Sequence, residues 1–332
     1  MADISIFQDE AFSVPNLILT LNEDHVVPGQ IAASGLFTEQ GSQTIVQQIE
    51  KDGMTLQLVE AKPRGSGGQA VIADKRRLVP FNSVHLPQTF QILADEIQGI
   101  RAMGSRTELQ GVQDVVTARL EKARRQLDTT HEWQRIGAIK GQVIDSDGET
   151  VLVDIFQSFG LKRLKPISLE LNNADTDVSA LCVDVLDQQE DELYGLASTG
   201  ARAWCGRNFW KKLISHAKVR DTYLASEAAS ALRADRRKAF DFGGITWDRY
   251  RGKLPGMPFV DDDSAYVVAE GAEGLFISVF APADYMETVN TLGLPYYGKL
   301  EAMRMDKGVD GEVQSNPLHL CTRPRSVIQL TI

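Results

Sequence analysis

The absences in this 332-residue sequence narrow its function first. Cysteine is scarce. Cys182, Cys205 and Cys321 are odd in number and far apart, which argues against a disulfide framework and for a reducing cytosol. No apolar run approaches the roughly 18 residues that a membrane-spanning helix needs. The opening Met-Ala-Asp-Ile-Ser-Ile has no basic end followed by an apolar stretch, so nothing marks secretion. Basic residues are outnumbered, 35 Lys+Arg against 45 Asp+Glu, for a net charge of −10. With a pI near 5.1, the surface repels a phosphate backbone, which argues against non-specific nucleic-acid binding. No internal repeat is present. What the chain does have is ordinary globular usage, 43% hydrophobic and 24% charged, too apolar for a disordered polymer. Its length suggests two domains.

Along the chain, residues 1–41 are loosely patterned, with Pro15, Pro28, Gly29, Gly35 and Gly41 breaking short apolar pieces. They predict an extended arm with little core of its own, whose apolar residues are buried against something else. Residues 44–79 predict a long hairpin. Ile45-Val46-Gln47-Gln48-Ile49 and Leu56-Gln57-Leu58-Val59 are strand-like, Asp52-Gly53 is a turn signal, and Lys62-Pro63-Arg64-Gly65-Ser66-Gly67-Gly68-Gln69 cannot lie inside a regular element. An isolated hairpin is marginal in water, so this one is expected to lie on a partner. Pro87 opens a helical pattern: Leu93, Ile97 and Ile100, then Leu109, Val112, Val116, Leu120, Ala123 and Leu127. Gly99, Gly104 and Gly111 lie within it and predict a bend near Met103-Gly104-Ser105. Lys122, Arg124 and Arg125 suit a C-terminus near Thr129-Thr130. A hairpin over 141–155 turns at Asp147-Gly148. Residues 175–200 and 209–236 read as mainly helical, and 240–250 as strand and turn. Val267-Val268-Ala269, residues 276–280 and the terminal 327–332 read as strands. The class is α+β.

The search for chemistry finds decoys. Gly293-Leu294-Pro295-Tyr296-Tyr297-Gly298-Lys299 has the spacing of a phosphate loop. Leu300 stands where Ser or Thr would hold magnesium, however, and Pro295 removes an N–H, so an ordinary turn is the better reading. Ser66-Gly67-Gly68-Gln69 looks like a transport-ATPase signature without its partner loop. Asp261-Asp262-Asp263 reads as a solvated loop rather than a cation site, and Asp145, Asp147 and Glu149 as a turn. His319 and Cys321 lack the second ligand pair that zinc needs. His25, His85, His131, His216 and His319 are scattered, with no Ser-His-acid setting. Phe209, Trp204, Trp210 and Trp247 read as core. No catalytic residue, cofactor or metal is implied.

The C-terminal half carries a resemblance. Phe242-Gly243-Gly244-Ile245-Thr246-Trp247 with Tyr250-Arg251-Gly252, then Ala269-Glu270-Gly271, Phe280-Ala281-Pro282-Ala283-Asp284 and Glu287-Thr288-Val289-Asn290, then Tyr297-Gly298-Lys299, Gln314-Ser315-Asn316-Pro317-Leu318 and Arg323-Pro324 follow in an order similar to the major capsid protein of tailed bacteriophages, lambda capsid protein E type. The resemblance implies the Hong Kong 97-type capsid fold: an N-terminal arm (1–41), an extended β-hairpin loop (42–85), a peripheral domain with a long spine helix (86–176), an axial domain (177–294) and a return to the peripheral domain (295–332). It implies a protein that self-assembles with its capsomer neighbours into pentamers and hexamers, closing an icosahedral or prolate head around phage double-stranded DNA. It further implies a separate scaffold protein during assembly, a portal protein and a decoration protein as partners. Residence would be in the virion head shell, and in the host cytoplasm during assembly, with no membrane and no sequence-specific DNA contact.

Ring contacts of this kind are heterologous, and several weak ones at once bind tightly. Lys62, Arg64, Lys75, Arg76 and Arg77 cluster on the hairpin and are expected to contact acidic residues of the adjacent subunit; the alternative is a solvated basic face. The rival functions are another phage structural protein of the tail or decoration type, and a soluble nucleotide or metal hydrolase.

Overall fold

The structure, a computed structural model, describes residues 7, 9–22, 29–51, 77–98, 108–224, 238–254 and 257–332. The chain divides into two compact units. One comprises Met1–Gln47, Asn82–Arg135 and Ile277–His319; the other comprises Gln48–Phe81, Ile136–Phe276 and Leu320–Ile332.

The first unit is organised by a helix, Glu108–Lys140, which contributes its residues through Arg135. Val112, Val116, Leu120, Ala123 and Leu127 form one buried stripe along it, at the three- and four-residue spacing that puts side chains on one face. Ile92, Val313 and Tyr296 belong to the same core. Ile92 and Val313 come from an antiparallel sheet ordered Tyr297–Ala302, Gly308–Ser315, Leu86–Leu93, with Gly311 opposite both Leu300 and Phe90.

The sequence-based helix from Pro87 is corrected here. Residues Leu86–Leu93 are a strand, and a short helix, Ala94–Gln98, follows it. The alternation of Leu86, Gln88, Phe90 and Ile92 inward against Pro87, Thr89, Gln91 and Leu93 outward is a period of two, which overrides the coincidental spacing of Leu93 and Ile97. The strand lies at a sheet edge, where a proline is tolerated. The bend expected near Met103-Gly104-Ser105 lies outside the described residues, and Gly111 sits inside the helix. The helix also runs past Thr130 to Lys140. Of its mid-length bases, Arg124 has another task. Arg124 stands 3.9 Å from Asp128 and 4.9 Å from the centre of the Tyr296 ring. The helix stops where Gly141 adopts φ +81°, a left-handed conformation that glycine tolerates best.

The arm is the second correction. Asp9 caps a turn over Glu10–Phe12 by accepting from the Ala11 amide at 3.0 Å. A helix, Val14–Asn22, then buries Leu17 and Leu21 in the same core as the long-helix stripe, together with Phe12. Three such side chains contribute about 1.5–3 kcal/mol each. Gln30–Ala33 forms a further helical turn with Ile31 buried, and the strand Thr38–Gly41 pairs in parallel with Phe276–Phe280, Thr38 opposite Ile277 and Gly41 opposite Phe280. The apolar residues expected to be buried elsewhere are thus part of this unit's own core.

In the second unit a six-stranded mixed sheet runs Ile167–Ser168, Ile328–Thr331, Ser264–Glu270, Gly200–Cys205, Ile245–Arg249, Phe240–Phe242. The terminal strand expected from the sequence pairs antiparallel with Ser264–Glu270. Helices Val178–Leu193 and Arg207–Ser215 supply Cys182, Val185, Phe209, Trp210 and Leu213 to the core. Trp247 stacks on Phe209 at 6.1 Å, and its indole N–H donates to the Phe242 carbonyl at 2.9 Å, which removes the cost of burying that group. Ala217–Leu224 is also helical; residues 225–236 of the expected helical stretch are not among those described. The hairpin Gln142–Ile144 with Val151–Asp154 forms as read. Strands Val46–Lys51 and Arg77–Asn82 make a two-stranded sheet, while the turn at Asp52-Gly53 and the glycine-rich tip lie outside the described residues.

Candidate assembly surface and arm anchor

Each sequence-level decoy has a structural task. In the phosphate-loop lookalike, a Cβ on Gly298 would stand 2.8 Å from Leu21 Cδ1, so the missing side chain admits the arm helix. A Cβ on Gly293 would meet the Phe280 carbonyl at 2.0 Å. The Leu294 amide donates to the Tyr297 hydroxyl at 2.8 Å, and the Lys299 ammonium is 3.0 Å from the Glu287 carboxylate. Amides and lysine are committed internally. In the acidic loop, the Asp262 carbonyl accepts from the Asn208 and Phe209 amides at 2.8 and 2.9 Å, covering the free N–H groups at the start of Arg207–Ser215. Asp261 lies 3.3 Å from Lys140, and Asp263 accepts from Asn208 at 3.0 Å, so these two carboxylates serve different partners while Asp262 acts through its backbone. Asp147 accepts the Glu149 and Thr150 amides at 2.9 Å and the Thr150 hydroxyl. That hydroxyl first, and then the amides, hold its pKa below the usual carboxylate value. Among the described residues, no three His, Cys, Asp or Glu side chains come together as a metal site, and no helix is long and apolar enough to cross a membrane. Burial pushes the Cys321 thiol up to about 12, and His319 shares a 2.7 Å hydrogen bond with Ser278.

Of the basic cluster, Lys62, Arg64, Lys75 and Arg76 lie outside the described residues, and Arg77 is described only as the first residue of Arg77–Asn82. The described residues do contain a surface of the opposite sign. On the three-stranded sheet of the first unit, an open groove of about 810 Å³ is lined by Gln91, Tyr285, Lys299, Glu301, Asp310 and Glu312, among others. The strand Gly308–Ser315 turns Val309 and Val313 inward at 0% exposure, and the two-residue period sends Asp310 and Glu312 to the groove. Gln91 donates to Asp310 at 2.9 Å and the Tyr285 hydroxyl to Glu312 at 3.0 Å. With Lys299 held by Glu287, the groove is net acidic.

The most heavily built polar site is one that sequence reasoning missed. One turn of the long helix places His131, Glu132, Gln134 and Arg135 at 2–5% exposure. The Glu132 carboxylate accepts from the Ile31 and Ala32 amides at 2.9 and 3.1 Å. Arg135 Nη2 is 2.6 Å from Glu39 Oε1, and the guanidinium lies 6.0 Å from the centre of the Phe37 ring. His131 stacks on Tyr296 at 5.6 Å with 9° between the rings and meets His319 edge-on at 5.4 Å. Phe37 closes edge-on over His319 at 6.1 Å. Tyr296 donates its hydroxyl to Asp128. Burial, and secondarily the Arg135 charge, lower the His131 pKa to about 3. The same causes with His131 added hold His319 well below its usual value. The available signal was the continuation of the apolar period to Ile136 and Ile139, which would have carried the helix through this turn.

Comparison with known proteins agrees with these features. The family model for phage major capsid protein E matches residues 13–332. The chain is 28% identical to the major capsid protein of Salmonella phage Felix O1 over 341 residues, 91% of either chain. It is 28% identical to that of Pseudomonas phage KPP10, covering 75% of this chain and 76% of the relative. A crystal structure of a prophage protein from E. coli CFT073, described as a capsid protein, superposes with a TM-score of 0.62 at 16% identity, over 96% of this chain and 98% of the other. The α+β capsid fold expected from the sequence is therefore the fold observed. The chain belongs to the phage major capsid protein E family, and its function is to form a capsid shell.

Proposed function

We propose that this chain assembles with capsomer neighbours of its own kind into pentamers and hexamers that close a head around phage double-stranded DNA. The reading is carried by the family match over residues 13–332 and supported by a net charge of −10, which keeps packed DNA from adhering to the shell. Residues 1–41 are the arm, 42–85 the extended loop, 86–176 the peripheral domain, 177–294 the axial domain and 295–332 the return. The role is structural. A separate scaffold, a portal and a decoration protein complete the head, which is built in the host cytoplasm.

In this reading Lys62, Arg64, Lys75, Arg76 and Arg77 dock on an acidic surface of the adjacent subunit. The groove of Glu301, Asp310 and Glu312 has the matching sign. Steering between such patches is screened by salt. Electron microscopy of the expressed chain tests the whole reading: closed megadalton shells or capsomer rings are expected, and small discrete oligomers overturn it. The R64E/R76E/R77E variant tests the loop. It should remain a soluble, folded subunit that does not close shells, and shells of normal number and size would remove the loop assignment.

A further inference from the structure

The turn at 131–135 does more than fill a core. Residues 29–41 cross it and are held by the ladder of Thr38–Gly41 with Ile277–Phe280, by Glu132 on the Ile31 and Ala32 amides, by Arg135 on Glu39, and by Phe37 edge-on to His319. Gly29 is part of the fit, because a Cβ there would stand 2.3 Å from the Glu132 carboxylate. Under Phe37 lies His319, which meets His131 edge-on at 5.4 Å, and among the described residues neither imidazole is paired with a carboxylate. His131 and His319 are each 2% exposed, and the Nε2 atom of each has no hydrogen-bond partner among the described residues.

The surrounding charged and titratable groups do not supply one. On the long helix, Glu132 is committed to the two arm amides, Asp128 to the Tyr296 hydroxyl, and Arg124 lies over the Tyr296 ring. Arg135 adds positive charge. From the arm, Glu39 faces Arg135. From the strand Phe276–Phe280 come Phe280, 5.8 Å from the His131 ring, and Ser278, already bonded to His319 Nδ1. A proton on either ring meets Arg135 and the other imidazole and no free carboxylate.

We propose that residues 29–41 form an acid-released strap: protonation of His131 and His319 drives this segment off the 131–135 turn while the rest of its unit stays folded. The other described histidine of this unit, His85, shares a 2.7 Å hydrogen bond with Asn316 and lies outside the apolar cluster of Val112 to Leu127 with Ile92, Val313, Phe12, Leu17 and Leu21. The strap goes beyond shell formation. It gives the subunit a conformational response to pH, in which mild acid frees residues 29–41, the strand Thr38–Gly41 included.

The direction follows from linkage. A group that binds a proton only in the open state favours opening below its unfolded pKa, near 6.5 for histidine. Each such group raises the open population about tenfold per pH unit, so two raise it about a hundredfold. Hydrogen exchange of the full-length chain, corrected for intrinsic rate, reads this directly. Between pH 7.5 and 5, peptides within residues 29–41 should lose protection with that steepness below about pH 6.5. Peptides of the strand Gly308–Ser315, in the same unit, should stay protected. H131F should reduce the slope to about tenfold per unit, and H131F/H319F should flatten it, whereas H216Q should leave it unchanged. Strap protection that is independent of pH, or a slope retained in the double variant, overturns the proposal. Should the variants not fold, NMR of the wild-type imidazole protons decides. Ring titration near pH 6.5 with the strap still protected overturns the proposal, and rings that titrate only together with strap exposure support it.

Discussion

Replacing Glu132 with alanine isolates what holds the arm to its own subunit. The carboxylate is 2% exposed and accepts two amides at 2.9 and 3.1 Å. Both are charge-assisted bonds, and both donors lose their partner in E132A. A buried donor left unmade costs about 1–3 kcal/mol, so the loss for two is about 2–6 kcal/mol. It is capped by the free energy of opening the strap itself, because beyond that value the strap simply detaches. The E132Q variant keeps one acceptor oxygen but turns an amide donor toward the other N–H, for a loss of about 1–2 kcal/mol. Gly29 supplies the sharper test. A Cβ at 29 would stand 2.3 Å from Glu132 Oε2, so G29A should destabilise the wild type strongly and the E132A background much less. The two substitutions share one space and should be non-additive. Urea unfolding measures the four-variant cycle, and exchange of the Ile31 and Ala32 amides localises it. A loss below about 1 kcal/mol for E132A, or an equal cost of G29A in both backgrounds, would refute the idea that this carboxylate is the anchor.

Two further outcomes follow from packing and burial. L21A removes a side chain at 2% exposure that fills the space left by Gly298, and should cost about 2–5 kcal/mol by urea unfolding of the dissociated subunit; an unchanged midpoint would place the arm helix off the body. Burial raises the Cys182 and Cys321 thiols to about 12 and Cys205 well above its usual value, so all three stay protonated and covered at pH 8. A thiol reagent should label none of them until the chain unfolds, and rapid labelling of the native subunit would contradict their burial.

Much of this was legible because some segments carry a single consistent signal. The stripe from Val112 to Leu127 has one period and became one helix face. Phe276–Phe280 and Ser264–Glu270 are nearly continuous apolar runs, and both are strands buried along almost their whole length. Asp147-Gly148 needed only local turn chemistry. The failures share a physical cause, which is that local patterns compete with distant partners. Pro87 looked like a helix opener until eight residues, Leu86–Leu93, found the strand Gly308–Ser315 more than two hundred positions away. Lys122, Arg124 and Arg125 looked like a helix end, but one of them is held by Tyr296. The 131–135 turn was invisible because its meaning depends on Ile31, Glu39 and His319, which no local window contains. The phosphate-loop lookalike was dismissed for its missing Ser or Thr, while the reason for its second glycine is the Leu21 side chain.

The arm shows what that competition means for a shell protein. Loose patterning and few apolar residues were read as a core completed by neighbours, yet Phe12, Leu17 and Leu21 complete the core of their own unit and Ile31 is 1% exposed. A subunit that buries these residues itself has already met the entropy cost of ordering its arm helix, so association need not supply it. Contacts between copies can then be individually weak, and closure through many of them still gives a tight shell. Weak contacts also leave incorrectly joined subunits free to separate. The polar anchor at Glu132 and Arg135 fits this logic better than an apolar one. Its hydrogen bonds are satisfied only in one register, so it fixes where the arm lies.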